Sequence, residues 1–596
     1  MEPSSHEPSF SGEPLIPPER YDSLGELLRD AFVQYKSETA LIELDRKKEK
    51  VRLTYLEAKR IAERLAKRLE DAGVGAGDRV AIVMSNQSRW LLSAYAALFR
   101  GAVLVPIDFK LTGEEQETLL RHCRPKVLVT EYPEYRDLAA LQRGELSMDL
   151  VLVSEVPSNV TLPQPTQAAR GTFEKWEQAI ETVGAPTFVP RARRDQATLV
   201  YSSGTGGNPK GCILTHDNYL EQYRTLLALY PYEVGDRFFS VLPTNHAIDF
   251  MCGFVGAFAC GATVVHQRTL RPEFLRHVMQ EHGITHMAIV PMILEAFERA
   301  IDERLEEKGE LTEHVVEGLR QINAALTLDK PRGWLSKRLL KPVHDRLGPD
   351  LKNLFVGGAF VDRERAQRFY DLGFPLAIGY GLTEACTVLT VNDLKPFRSD
   401  SVGKPLDGVE LEIRNADGHG PERVGEVWVK TRTVFAGYLD DPEQTAEVLK
   451  DGWLKTGDLG FLDPSGHLHL VGRTKNMIVT AGGKNVYPED VESAFEGVDC
   501  EELVVFASGY VWPGTKLTDE GLVAVVRAKK GKRVEDVLPE IRRRNLKLAD
   551  YKRIVAVLPW ESEMPRTASM KVKRAPLAEE IRGSASPEAL ISLEVV

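Results

Sequence analysis

The chain has 596 residues, enough for several domains with sizeable cores. Apolar residues make up 43% and charged residues 27%, an ordinary balance for a soluble globular protein. The net charge of −11 argues against a general nucleic-acid binder, whose affinity comes from neutralising phosphates. Cys123, Cys212, Cys252, Cys260, Cys386 and Cys500 contain no CxxC pair, which points away from a zinc site or disulfide framework and toward a reducing, cytoplasmic compartment.

The polar, Pro- and Ser-rich start lacks the basic and apolar regions of a signal peptide, so residues 1–20 read as a disordered leader. Thr54 and Glu57 form a capping box, and the helix behind them carries Ile61, Leu65 and Leu69 on one face. Strands are expected at 79–84, 102–106, 127–130 and 150–153, with helical segments between them. A second series runs through 238–242, 262–265, 286–290, 354–356 and 376–378. The run 250–265 is short for a membrane span and reads as a buried helix entering a strand.

This alternation gives an α/β fold. The expectation is a large N-terminal domain over 21–474, with two helix-covered, mostly parallel sheets and a small β-rich subdomain over 409–470. A small mobile α+β C-terminal domain follows over 475–596. Ligands of such sheets bind at the carboxyl ends of the strands. The segment 297–348 reads as a charged helical insertion, and its second half is basic and amphipathic around Trp334. It is either a solvated insertion or a peripheral contact with an anionic inner-membrane surface.

Residues 201–211, YSSGTGGNPKG, pack four glycines, three hydroxyls and a lysine between the expected strands 197–201 and 212–215. Gly204 and Gly206 let backbone N–H groups approach an anion, Ser202, Ser203 and Thr205 add hydroxyls, and Lys210 adds a charge. That chemistry suits a polyphosphate, although the same residue types also build ordinary turns. A Walker loop runs from a strand straight into a helix, so this loop is of another kind.

Further strings follow in order: VGGA at 356–359, IGYGLTEA at 378–385, GWLKTGD at 452–458, VGRTKNMI at 471–478, GGKNVYPE at 482–489 and PRTASMKVKR at 565–574. Together with the loop at 201–211 they closely resemble the adenylate-forming superfamily, and most of all its long-chain fatty acyl-CoA synthetases. The resemblance covers roughly residues 21–574. Gly206 stands where the family usually has Thr, Met570 where it has Gly, and Phe360 and Val361 replace the usual end of the GGAPL string.

The resemblance implies ATP, Mg²⁺ and coenzyme A as cofactors. It places Ser202, Ser203, Gly204, Thr205, Gly206 and Lys210 on the phosphates, and Gly358, Ala359, Tyr380 and Gly381 around adenine. Thr383 would face phosphate, and Glu384 would hold Mg²⁺. Asp458 and Arg473 would hold the ribose, with Lys475 as the hinge. Gly482 and Gly483 would leave room for a pantetheine arm. Lys571 would bridge the carboxylate and the α-phosphate, and His246, in LPTNHAID, would orient the carboxylate or be structural. Thr205, His246, Glu384 and Lys571 form the implied catalytic set.

The implied reaction is ATP-dependent activation of a carboxylic acid, a medium- or long-chain fatty acid, to an acyl-adenylate and then to a coenzyme A thioester. Two alternatives stay open on the sequence. One is a ligase that loads an acyl carrier protein. The other is a catalytically impaired nucleotide-binding homologue.

Overall fold

The computed structural model describes residues 17–162, 171–202, 209–417, 423–476, 478–479, 485–512, 521–566 and 572–593. The chain divides into two compact units, residues 1–410 with 430–454, and residues 411–429 with 455–596.

The first unit holds two large sheets. The nine-stranded sheet has a parallel centre, in the order Leu376–Tyr380, Asn353–Val356, His286–Ile289, Arg237–Ser240, Thr263–Gln267 and Thr39–Asp45. Antiparallel strands close both edges, Thr390–Val391 and then Lys404–Pro405 at one and Lys48–Thr54 at the other. The eight-stranded sheet is parallel from Gln196–Ser202 through Val103–Ile107, Arg79–Val83, Val127–Glu131 and Leu150–Ser154 to Thr172–Lys175. Lys210–Thr215 and Gly437–Tyr438 extend it antiparallel. VLVPI, VLVTE and LVLVS are buried at every position, as strands covered on both faces require.

The capping box at Thr54 is formed and starts the helix Tyr55–Asp71. In the helix Ser88–Phe99 every residue but Arg89 is buried, so it lies inside the unit rather than on its surface. Phe254 packs edge-on against Trp90, Phe250 and Phe258 at centroid distances of 6.4, 5.5 and 5.4 Å. The run 250–265 is a buried helix entering a strand: a π-helical stretch Asp249–Gly256, one turn Ala257–Ala259, then Thr263–Gln267. No helix among the described residues is long and apolar enough to cross a membrane.

The insertion is helical throughout, as Pro291–Lys308, Glu310–Leu326, Gly333–Leu339 and Lys341–Leu347. It starts earlier than expected because Pro291 sits in the first turn, where its missing N–H costs nothing. Gly309, at φ +89°, makes the bend between the first two helices.

The second unit contains an antiparallel pairing of Asp458–Leu462 with Leu468–Arg473, and a four-stranded sheet in the order Cys500–Ala507, Leu522–Ala528, Ile554–Pro559, Ile591–Ser592. Side chains alternate across the second of these. Val505, Ala524, Val526 and Val557 join one core with Val537 and Ile541 of the helix Val534–Asn545. Val504, Phe506, Val523, Val525 and Leu558 join another with Leu577 and Ile581 of the helix Arg574–Ser584. The β-rich stretch around 411–429 thus clusters with the C-terminal residues, and the last division between units falls at 454/455.

Several buried histidines must stay neutral. His216 Nδ1 accepts the Leu24 N–H at 3.2 Å, so protonation would break a contact at the start of the helix Leu24–Gln34. Burial pulls His216 and His266 down to about 3, and His286 and His344 down to about 4. These values lie below the ordinary histidine value of about 6.5, so the unfolded chain takes up protons first. Their contribution is complete above about pH 6.5 and is lost as pH falls toward about 4. Melts followed by circular dichroism are expected to show the unfolding temperature dropping through this window, and a flat profile would contradict this reading.

Candidate active site

The parallel register aligns the motif-bearing strand ends. Val356 lies opposite Ile378, so Gly357 and Gly358 leave their strand beside Gly379 and Tyr380. A methyl group on Gly357 would stand 3.1 Å from the Gly379 carbonyl oxygen, and Gly358 has φ +82°, which only glycine adopts without strain. Gly358, Ala359 and Gly381 are exposed, while Tyr380 is buried. The backbone at this edge is therefore open to a flat ligand.

After Tyr380 the chain enters a 3₁₀ turn, Thr383–Ala385. Gly381 has a second reason to be glycine: an added Cβ would lie 1.8 Å from the Thr387 carbonyl oxygen. Thr387 Oγ1 in turn donates to the Ala247 carbonyl at 3.3 Å, which ties this turn to the segment carrying His246.

That segment leaves the strand Arg237–Ser240, whose expected end at 242 is two residues too long. Asn86 is responsible for the departure. Its Nδ2 donates to the Leu242 carbonyl at 2.6 Å and to Ser240 Oγ at 3.0 Å, and its Oδ1 accepts the Thr244 N–H at 2.9 Å. Ser240 Oγ donates to Asp249 Oδ2 at 2.7 Å. Burial lifts the Asp249 carboxyl to about 7, against the opposing hydrogen bond from Ser240. Asn86 sits just past the end of Arg79–Val83 in the other sheet, so one amide shapes the His246 turn from across the unit.

Glu384 is held from two sides. Its backbone carbonyl accepts the Phe435 N–H at 2.8 Å, and its Oε1 accepts the Tyr438 hydroxyl at 2.8 Å. Tyr438 lies opposite Cys212 on the strand that Lys210 begins, and Lys210 Nζ is 5.6 Å from the Tyr438 ring centroid. Burial, then the Glu384 charge beside it, raise the Tyr438 pKa far above the ordinary phenol value, so the hydroxyl remains a donor. Tyr438 and Asn86 were not singled out in the sequence. Neither falls in a glycine-rich string, and each acts through a partner distant in the chain.

The second unit brings other predicted residues together. Asp458 and Arg473 are directly opposed in antiparallel register, with Nε and Oδ1 2.8 Å apart. Asp458 is 5% exposed and its N–H donates to Thr456 Oγ1 at 3.1 Å. Lys475 lies in the short 3₁₀ turn Thr474–Asn476. Arg574 donates to Glu492 at 2.6 Å and to the Val505 carbonyl at 2.6 Å. Arg566 and Val572 form a bridge, supported by Lys573 N–H to the Pro565 carbonyl at 2.7 Å. Ser203, Gly204, Thr205, Gly206, Gly482, Gly483 and Lys571 lie outside the described residues, and Ser202 is described only as the last residue of its strand.

A lone carboxylate such as Glu384 fits Mg²⁺, which binds through one or two carboxylates plus phosphate oxygens and water. Among the described residues there is no group of three or more His, Cys, Asp or Glu that could hold a metal ion.

Residues 28–439 match the model of AMP-binding enzymes. The chain is 25% identical over 618 residues to a long-chain-fatty-acid–[acyl-carrier-protein] ligase, AEE15, of Arabidopsis thaliana, covering 93% of this chain and 82% of that one. It is 28% identical over 526 residues to a feruloyl-CoA synthase of Amycolatopsis, covering 87% and 92%. Among solved structures it resembles the o-succinylbenzoate CoA synthetase of Bacillus subtilis in complex with its acyl-adenylate intermediate. The TM-score is 0.70 at 22% identity, over 92% of this chain and 97% of that one. The same synthetase has been solved with ATP and a magnesium ion, at a TM-score of 0.68.

Overpacking a tight site costs about 1–3 kcal/mol. Gly381→Ala is expected to lower stability by about that amount, because the Thr387 carbonyl cannot retreat without disturbing Ala247. Thermal melts of this variant against Gly452→Ala, where a Cβ meets nothing but a positive φ, separate crowding from backbone strain.

Proposed function

Because the chain belongs to the AMP-binding enzyme family, we propose that it activates a carboxylic acid as an acyl-adenylate and passes the acyl group to a thiol. The observation that carries this reading is the alignment at one sheet edge of Gly357–Ala359, Tyr380–Glu384 and the His246 segment. A planar base, a phosphate-bound metal and a carboxylate are the three ligands that such an edge suits.

A carboxylate is a poor electrophile because its charge repels nucleophiles. In the first step its oxygen attacks the α-phosphorus of ATP, and the bond to pyrophosphate breaks. In the second, a thiolate attacks the acyl carbonyl and AMP leaves. Negative charge gathers on the phosphates in the first step, so fixed positive groups and N–H donors lower its barrier. Glu384 would hold Mg²⁺, which would supply Lewis-acid stabilisation there.

Tyr438 holds the Glu384 carboxylate in one orientation while leaving its other oxygen for the ion. Lys210 and the glycine loop would bind the phosphates, Thr383 would add a hydroxyl, and Tyr380 would offer its ring to adenine. Asp458 accepts from the ribose hydroxyls, and Arg473 fixes its carboxylate. Lys571 spans the carboxylate and α-phosphate. Lys475 would be the hinge between the two half-reactions, and Gly482 and Gly483 would leave room for the pantetheine arm of coenzyme A. His246 orients the acid, on a turn that Asn86 shapes.

The acid is a medium- or long-chain fatty acid, supported by the helical insertion and by the naming of AEE15. The feruloyl-CoA synthase makes an aromatic acid the first competitor. Coenzyme A is the thiol, and AEE15 is the observation that favours an acyl carrier protein as the alternative. All six cysteines are free, in keeping with a cytoplasmic location.

Carboxylate-dependent ATP–pyrophosphate exchange across a panel from acetate through oleate to ferulate tests the reading, with strongest exchange expected for a fatty acid. Silence with every acid would sink the ligase function. Lys571→Ala is expected to abolish exchange while still converting a preformed acyl-adenylate to thioester; equal loss of both steps would refute its separate role. Tyr438→Phe removes a hydrogen bond to a charged group, worth about 1.5–3 kcal/mol. A roughly tenfold or greater rise in the Mg²⁺ concentration needed for half-maximal exchange is expected, with the maximal rate less affected.

A further inference from the structure

The helix Glu310–Leu326 has two apolar faces. One is spent inside the unit: Val316 and Asn323 are buried, and Asn323 Nδ2 donates to the Asp371 carbonyl at 2.9 Å. The other faces outward. Leu311, Val315, Ile322 and Leu326 are 81%, 54%, 51% and 45% exposed. Gly318 lies on the same face, and the steps from Leu311 through Val315, Gly318 and Ile322 to Leu326 are 4, 3, 4 and 4, which keep all five within one helical stripe. Scattered exposed apolar residues are normal, but a helical stripe of them is not. Beyond the helix end, Leu328 and Trp334 continue the apolar surface at 68% and 73% exposure.

We propose that this stripe pairs with the same stripe of a second copy of the chain, antiparallel about a two-fold axis near Gly318. Three observations select this occupant. The seam is self-complementary under that symmetry: Leu311 meets Leu326, Val315 meets Ile322, and the Gly318 backbones cross. A Cβ on Gly318 would meet nothing within 4 Å, so the approach from outside is open at the axis. Charge along the hairpin is polarised: exposed Glu303, Glu306, Glu307 and Glu310 outnumber exposed Arg304 and Lys308 before the seam, and exposed Lys330 and Arg332 outnumber exposed Asp329 after it. Antiparallel pairing sets the acidic end of each copy against the basic end of the other, and a parallel pair would align like charges.

An anionic bilayer is the competing partner for an apolar stripe near basic residues. The exposed Glu303, Glu306, Glu307, Glu310, Glu313 and Glu317 on the same hairpin oppose it, because acidic side chains are repelled by such a surface.

Light scattering of the full chain over a concentration series tests this. Wild type is expected at twice the chain mass. Val315→Glu and Ile322→Glu are expected at the chain mass, with unfolding temperature and exchange activity unchanged. Lys330→Glu with Arg332→Glu is expected to weaken association, and adding Glu307→Lys with Glu310→Lys to restore it. Under oxidation, Leu311→Cys mixed with Leu326→Cys is expected to cross-link, and Leu311→Cys alone is not. A wild-type monomer at every concentration, a dimer indifferent to Ile322→Glu, or cross-linking of Leu311→Cys alone would overturn the proposal. So would co-sedimentation with phosphatidylserine vesicles that Ile322→Glu abolishes in a monomeric chain.

Discussion

Parallel pairing of Asn353–Val356 with Leu376–Tyr380 is the constraint on which the first unit's site depends. Parallel strands all end on the same side, and neighbours stand about 4.8 Å apart. Residues separated by long crossovers are thereby delivered to one edge without any direct contact being specified for them. The insertion between His286–Ile289 and Asn353–Val356 can be long and irregular for the same reason. Only its two ends must return to adjacent strands.

At that edge, several residues serve structure and chemistry at once. Gly381 is small because the Thr387 carbonyl presses on its Cα, quite apart from any ligand. Tyr438 links a strand of the eight-stranded sheet to Glu384 of the other, so the metal-binding carboxylate proposed here is oriented by both sheets. Asn86 does the same for the turn before His246. The second unit reaches a comparable result locally, by opposing Asp458 and Arg473 across one antiparallel pair.

The α/β class, the capping box at Thr54 and the strands on either side of residue 205 were legible because each is written in local periodicity or local turn chemistry. The glycine-rich strings were legible because their composition departs so far from an ordinary segment. Tyr438 was not, because it lies in a two-residue strand, 54 positions from the carboxylate it touches. The end of Arg237–Ser240 was overrun because Val241 and Leu242 continue the apolar pattern, and only Asn86 from another sheet draws them away. The grouping of 411–429 with the C-terminal residues also escaped, since hydropathy marks strands but not which neighbours they choose. The exposed stripe on Glu310–Leu326 was hidden because a helix buried on one side and a helix apolar on two sides read alike until accessibility is known.

Arg574 reaches 82 positions back along the chain to tie two strings together. Its guanidinium grips Glu492, on the helix Pro488–Ser493 that follows the GGKN string, while it closes the PRTASMKVKR string itself. The residues that follow Lys571 and the helix that follows the glycine pair are therefore tied together by this ion pair. On the proposed function, in which Lys571 serves acid activation and the glycine pair serves thiol transfer, substitutions on the two sides of this ion pair are expected to be epistatic.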